Sequence, residues 1–184
     1  MGSRTKVSAT LILAAVLALA LAVLVGTGML ATESLDAGAT SRAASAEVAR
    51  GEYLATIMDC AGCHTPGALA GQPDFDRRLA GSSIGFALPG GGVVYPKNLT
   101  PDAETGLGGW SEDEIARAVR RGQSRDGRVL IPVMPWPSYA VLTEGDARAI
   151  AAYLKSVPAV RFEVPRDLRP GEKPAAPYLT VINP

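Results

Sequence analysis

Cys60-Ala61-Gly62-Cys63-His64 is the stretch on which the reading of this chain turns. The 184 residues contain 2 cysteines and 1 histidine, and all three lie in these five positions. The spacing has a mechanical reason. Two thiols set this way reach the two vinyl groups on one side of a haem and form thioethers. The histidine that follows turns its imidazole to the iron, which is the signature of c-type haem attachment. Three rivals explain the same residues less well. A structural zinc site takes four ligands, and with only three Cys/His donors present, a carboxylate would have to complete it. A thioredoxin-type dithiol belongs in a βαβ context that the Gly- and Pro-rich sequence after His64 does not offer. A Cys60–Cys63 disulfide is chemically allowed outside the cell but leaves His64 without a role.

The second axial ligand follows by elimination. With His64 the only histidine, a bis-histidine haem is excluded, which leaves Met1, Met29, Met58 and Met134. The first two lie before or just beyond a long apolar run, and Met58 is too close to Cys60 on the same helix to reach the far side of the ring. Met134 sits in Ile131-Pro132-Val133-Met134-Pro135-Trp136-Pro137, where three prolines each fix φ near about −65°. A stiff loop holds a weak thioether ligand at little entropic cost. Core filling is the ordinary fate of a methionine; beside a haem and without a rival, His64 and Met134 are expected as the axial pair.

Working outward, the motif should end a helix running from Glu47 to about Asp59, with Val48, Leu54, Ile57 and Met58 sharing part of a face. From Thr65 to Gly109 the sequence is punctuated by Gly and Pro, including Pro89 and Gly90-Gly91-Gly92. That argues for a long functional loop region with at most a short extended piece at Val93-Val94-Tyr95. Ser111-Glu112-Asp113-Glu114 is a capping box that opens a helix to about Arg121, with Ile115, Ala118 and Val119 inward and Gly122 as its stop. Thr143 opens another helix, to about Val157. Trp110 and Tyr139 are expected in the haem pocket. Arg117, Arg120, Arg121, Arg125 and Arg128 offer a solvated face, a docking surface or partners for haem propionates.

The N-terminus reads as an export and anchoring device. Arg4 and Lys6 precede an uncharged run of 19 residues from Val7 to Val25. At ~1.5 Å per residue the run spans about 28 Å, close to the hydrocarbon thickness of a bilayer. The basic flank places the N-terminus in the cytoplasm and the rest outside. A cleaved signal peptide is the alternative, but its apolar region is usually shorter, and Ala37-Gly38-Ala39 and Ala44-Ser45-Ala46 lie far from the run. The expected organisation is a cytoplasmic segment 1–6, an anchor 7–25, a flexible tether 26–46, a haem domain 47–164 and a Pro-rich tail 165–184. A formal net charge of +0 argues against a nucleic-acid partner. Aromatic residues at 5% leave a small domain short of core volume, which a haem would supply.

Residues 47–157 resemble class I cytochrome c domains, most closely those in the cytochrome subunits of membrane-bound bacterial alcohol, gluconate and aldehyde dehydrogenases. The resemblance is carried by Arg50-Gly51-Glu52-Tyr53-Leu54, by Asn98-Leu99-Thr100-Pro101-Asp102 through Gly108-Gly109-Trp110-Ser111, by Arg125-Asp126-Gly127-Arg128 and by Met134-Pro135-Trp136-Pro137-Ser138-Tyr139. It implies an all-α, haem-wrapping fold with His/Met ligation and electron transfer from a dehydrogenase donor to an oxidase or cytochrome acceptor of the respiratory chain. With the single motif, the long Gly/Pro-rich loops and the anchor read above, the expectation is one covalent haem c in a class I cytochrome c fold behind an N-terminal transmembrane helix, the haem domain lying on the periplasmic side of a bacterial inner membrane. Those subunits carry three haem motifs and this sequence has one, so a quinone site is not carried over. An enzyme of peroxidase type, or a gas sensor, is the alternative. Either needs an open iron position and distal acid–base groups, and a methionine that closes the iron favours the carrier. Crossing of the first and last helices is implied as well, with Tyr53 and Leu54 meeting Tyr153 and Leu154.

Overall fold

The computed structural model describes residues 40–182. The expected segment 1–6, the anchor 7–25 and most of the tether 26–46 therefore lie outside the described residues. Among the described residues no helix is long and apolar enough to cross a membrane. Residues from Ala46 onward form one compact unit.

Among the described residues five helices supply most of the order: α1 (described over residues 40–57), α2 (Cys60–His64), α3 (Glu112–Arg121), α4 (Trp136–Tyr139) and α5 (Glu144–Ser156). Single 3-10 turns stand at Ala68–Ala70 and Phe75–Arg77. The fold is mostly helical, and to the all-α expectation it adds a three-stranded sheet of order β2-β1-β3, made of β1 (Gly85–Ala87), β2 (Val93–Val94) and β3 (Tyr178–Leu179). β1 pairs antiparallel with β2 and parallel with β3.

Two boundaries differ from expectation. α1 is already helical at residue 40, the first described, rather than from 47; the segment 40–46, expected as tether, holds three alanines and neither Gly nor Pro, so nothing in it opposes helix. The tail 165–184 is also not simply irregular. Its prolines forbid helix, but Tyr178 and Leu179 are good strand residues and find an open sheet edge on β1.

Helix ends follow local chemistry. The Ser111–Glu114 capping box is complete, and Gly122 closes α3 at φ 59°. The Thr143 side chain accepts from the Asp146 amide at the start of α5. The core joins α1, α3 and α5 through Leu54, Ala55, Ile115, Val119, Ile150, Ala151, Tyr153 and Leu154. α1 meets α5 at Gly51, where an added Cβ would lie 1.8 Å from the Ala149 carbonyl oxygen and 2.8 Å from Tyr153 Cβ. Arg50 Nε pairs with Asp146 Oδ1 at 2.9 Å across the same contact.

The terminal-helix crossing thus uses Gly51 and Leu54 but not Tyr53, which is 56% exposed while Tyr153 is 5% exposed. Each helical residue turns about 100°, so Tyr53 leaves the face formed by Gly51, Leu54, Ala55 and Met58. Its ring lies under the Arg50 guanidinium instead, 5.6 Å from carbon to centroid. Ile57 leaves that face for the same reason and is exposed.

Candidate functional site

Asp59 places the cysteine motif. It sits in the left-handed region at φ 54°, which ends α1, and its carboxylate caps α2 by accepting from Gly62 N at 3.2 Å. Asp tolerates this conformation better than most residues because its short side chain bonds locally. Gly62 is needed under the cap, since a Cβ there would lie 2.3 Å from the Asp59 carboxylate. The backbone leaves α2 through buried Thr65, whose Oγ1 accepts from Leu79 N at 3.1 Å, and the His64 carbonyl accepts from Gly81 N at 2.8 Å.

His64 Nδ1 donates to the Lys97 carbonyl at 2.7 Å. A carbonyl only accepts, so this bond places a proton on Nδ1 and leaves Nε2 as the nitrogen available to a metal. Burial pushes the His64 pKa down, and the Lys97 bond partly opposes it. Burial is also the main force on the thiols. Cys60 is pushed up to about 11, with the Asp59 charge adding to the effect, and Cys63 is raised by the same two causes. The two cysteines are free of each other. Thiols raised in this way are weak nucleophiles for disulfide exchange while no metal or cofactor is bound.

Beyond α2 lies an apolar cleft of about 260 Å³, lined by Cys60, Cys63, His64, Trp110, Met134 and Tyr139 together. Every site residue expected from the sequence therefore reaches one cavity. Protein interiors hold few voids larger than a water molecule, so a cleft of this size is built for an occupant. Its walls include Ile115, Val119, Ile150 and Leu154, which are also core residues. Met134 is held by its amide donating to Ile131 O at 3.2 Å and by its carbonyl accepting from Trp136 N at 2.7 Å. Tyr139 Oη donates to Met58 O at 3.3 Å. Trp136, by contrast, stacks on the Gly122 backbone and donates from Nε1 to Leu130 O at 3.0 Å, so it supports the Met134 loop from behind. Of the five arginines only Arg128 lines the cleft. With Trp110, Ser124, Arg125 and Asp126 it also lines a second, more open pocket, which shares Trp110, Ser124 and Arg128 with the cleft. Two thiols, an oriented imidazole and a thioether around one apolar slot fit a c-type haem.

Sequence reasoning missed Lys97 and Asp167, both of which line the cleft. What matters at Lys97 is a main-chain carbonyl, which no residue identity announces.

Residues 48–158 match the family described as Cytochrome c. This chain belongs to the cytochrome c family. Over 125 residues, 68% of its length, the cytochrome is 43% identical to the gluconate 2-dehydrogenase cytochrome c subunit of Pantoea cypripedii, covering 26% of that protein. It is 38% identical over 120 residues, 65% of its length, to the cytochrome c subunit of the quinone alcohol dehydrogenase of Gluconobacter oxydans (strain 621H), covering 23% of it. A third relative, a diheme c-type cytochrome of Cereibacter sphaeroides, is 31% identical over 123 residues, 66% of this protein and 40% of the relative. The cytochrome thus spans about a quarter of the length of the dehydrogenase subunits it matches. Membership implies haem c as the cofactor, and the likeness is to electron-transfer subunits rather than to catalytic ones.

Proposed function

We propose that this cytochrome holds a single haem c through Cys60 and Cys63, with His64 and Met134 as the axial ligands of the iron, and passes one electron at a time. The donor we propose is a periplasmic dehydrogenase and the acceptor a component of the respiratory chain, with the domain tethered to the bacterial inner membrane by residues 7–25. The observation that carries the reading is the convergence of Cys60, Cys63, His64 and Met134, more than seventy positions apart at the extremes, on one apolar cleft. When bound, the haem supplies the one-electron couple. The protein's own residues orient, shield and tune it: Lys97 O fixes the histidine ring, and Trp110 and Tyr139 help to wall the slot. Arg128, the one cleft-lining arginine of its run, is the candidate partner for a propionate. A thioether at the iron leaves no open position for substrate, which favours a carrier over a peroxidase or gas sensor.

Expression with the haem-attachment machinery, followed by mass spectrometry of the denatured protein, tests the covalent site. One added haem is the expected result, and an unmodified mass would sink the proposal. Sequencing the N-terminus of the mature protein tests the anchor: residues ahead of Val7 support it, and a start near Thr40 or Glu47 refutes it. Co-purification from native membranes identifies the donor, and a dehydrogenase catalytic subunit is the expected companion.

A further inference from the structure

The family match ends at residue 158, yet the backbone does not leave the domain there. It turns back along the segment that carries the histidine's carbonyl partner and grips it repeatedly. Val160 O accepts from Asn98 Nδ2 at 2.8 Å, and Val160 N donates to Thr100 Oγ1 at 3.1 Å. Val93 and Leu168 exchange both main-chain bonds, at 3.1 and 2.8 Å. Tyr95 Oη donates to Ala176 O at 3.3 Å, and Gly85 N donates to Pro177 O at 2.9 Å. Between these grips stands one carboxylate. Asp167 Oδ1 accepts from Tyr95 N at 3.0 Å and from Lys97 Nζ at 2.7 Å. It thereby clasps the residues on both sides of Pro96, and Lys97 Nζ reaches the Pro165 carbonyl at 3.4 Å as well.

Lys97 is the residue whose carbonyl accepts from His64 Nδ1. Its position is fixed at two points: by its ammonium on Asp167 and, two residues earlier, by the Tyr95 amide on the same oxygen. A metal-bound histidine is oriented by the acceptor of its other ring N–H, and that acceptor also sets how strongly the ring donates to the metal. We infer that Asp167, outside the matched family region, is a positioning residue for His64. Segment 159–179 is then a strap that belongs to the haem site rather than an appendage. The inference rests on the haem reading above.

Two effects of Asp167 on the iron have the same sign. Its negative charge beside the cleft favours ferric iron, and a well-placed Lys97 carbonyl makes His64 a stronger donor, which also favours ferric iron. Asp167→Asn keeps an oxygen in place to accept from Tyr95 N and Lys97 Nζ but loses the charge. Asp167→Ala loses both.

The test compares haem-loaded wild type, Asp167→Asn, Asp167→Ala and Glu172→Gln, the last of which weakens the strap's Arg166–Glu172 pair without touching residues 95–97. The readouts are midpoint potential, thermal midpoint, and the hyperfine-shifted proton resonances of the His64 ring in the ferric state. Expected is a raised potential in both Asp167 variants, larger in Asp167→Ala. The His64 resonances should move in Asp167→Ala, return close to wild type in Asp167→Asn and stay put in Glu172→Gln. Unmoved His64 resonances in Asp167→Ala overturn the inference. So does an equal shift in Glu172→Gln, which would mark general loosening. A parent protein that takes up no haem would instead overturn the haem reading, so the two failures are distinguishable.

Discussion

Gly51→Ala should destabilise the domain, although by helix propensity alone it should stabilise it. In an exposed helix interior, alanine in place of glycine gains about 0.5–1 kcal/mol. At Gly51 the new methyl group would lie 1.8 Å from the Ala149 carbonyl oxygen and 2.8 Å from Tyr153 Cβ. Ordinary contact begins near about 3.5 Å, so α1 and α5 would have to separate by more than an ångström. The obstructing atom is backbone and cannot rotate away. Separation would also loosen the packing of Leu54 and Tyr153. Overpacking typically costs about 1–3 kcal/mol, and a fixed backbone obstacle puts this case at the upper end. Subtracting the propensity gain leaves a net loss of about 2 kcal/mol, and each kcal/mol lowers the unfolding midpoint of a domain this size by roughly 2–4 °C, about 4–8 °C in all.

Thermal unfolding of the haem-loaded protein, followed by far-ultraviolet circular dichroism, decides the matter when Gly145→Ala is run beside it. Gly145 lies in the first turn of α5, where a Cβ would meet nothing closer than Thr143 Oγ1 at 4.0 Å. There only the propensity effect acts, so Gly145→Ala should melt at or slightly above the parent. If Gly51→Ala does the same, the crossing of α1 and α5 is not as described.

Three further outcomes are expected. Tyr153→Ala should cost about 3–5 kcal/mol, as truncation of a buried aromatic does. Tyr153→Phe should cost about 1 kcal/mol, for the lost Arg78 Nη1 bond to Tyr153 Oη at 2.9 Å; denaturant titration of the two variants reads the difference. Met134→His should lower the midpoint potential, because a thioether favours ferrous iron more than imidazole does, and Met134→Ala should abolish the weak far-red band of Met–iron bonding in the oxidised spectrum. The Glu172 carboxyl, held by the Arg166 guanidinium and the Arg169 amide, is depressed from 4.5 to about 2. Its folded pKa lies below its unfolded one, so its contribution is complete above 4.5 and is lost as pH falls toward about 2. Amide protection factors around residues 166–172, corrected for the intrinsic exchange rate at each pH, should therefore fall across that window in the parent and show no such step in Glu172→Gln.

What was legible in the sequence was local or unique. Ser111 and Glu114 announce a helix start because the two bonds that cap it lie within one turn. The convergence of Met134 on the cleft was legible by counting, since the ligand inventory is so short. Tyr53 was misplaced because one residue along a helix is a large rotation, and a pair of adjacent apolar residues does not say which of the two faces inward. Residues 40–46 read as tether because they carry no apolar period, yet a helix that runs on from a packed segment does not need one. The strap was not legible at all. Its bonds to residues 85–100 join positions about 60 to 90 apart, and apart from the Lys97–Asp167 pair each uses at least one main-chain group, which has no signature in sequence.

The same distinction explains how a domain with so few aromatic residues holds a site steady. Small residues stand where the helices touch, Gly51 against the Ala149 carbonyl. Larger ones, Ile115, Val119, Ile150 and Leu154, serve at once as core and as cleft wall. The remaining walls are loops, and a buried loop is stable only if its polar groups are paired. Asn98 does this from within, its Nδ2 donating to Thr105 Oγ1 and Val160 O while its Oδ1 accepts from Thr100 N and Oγ1. Lys155 does it from α5, its ammonium donating to the carbonyls of Leu107, Gly108 and Trp110 at 3.0–3.2 Å. The Trp110 side of the cleft is thus tied to the last helix, and the His64 side, through Lys97 and Asp167, to the strap that follows that helix. Both walls of the site are therefore tied to residues that come after the Met134 loop in sequence, Lys155 and Asp167.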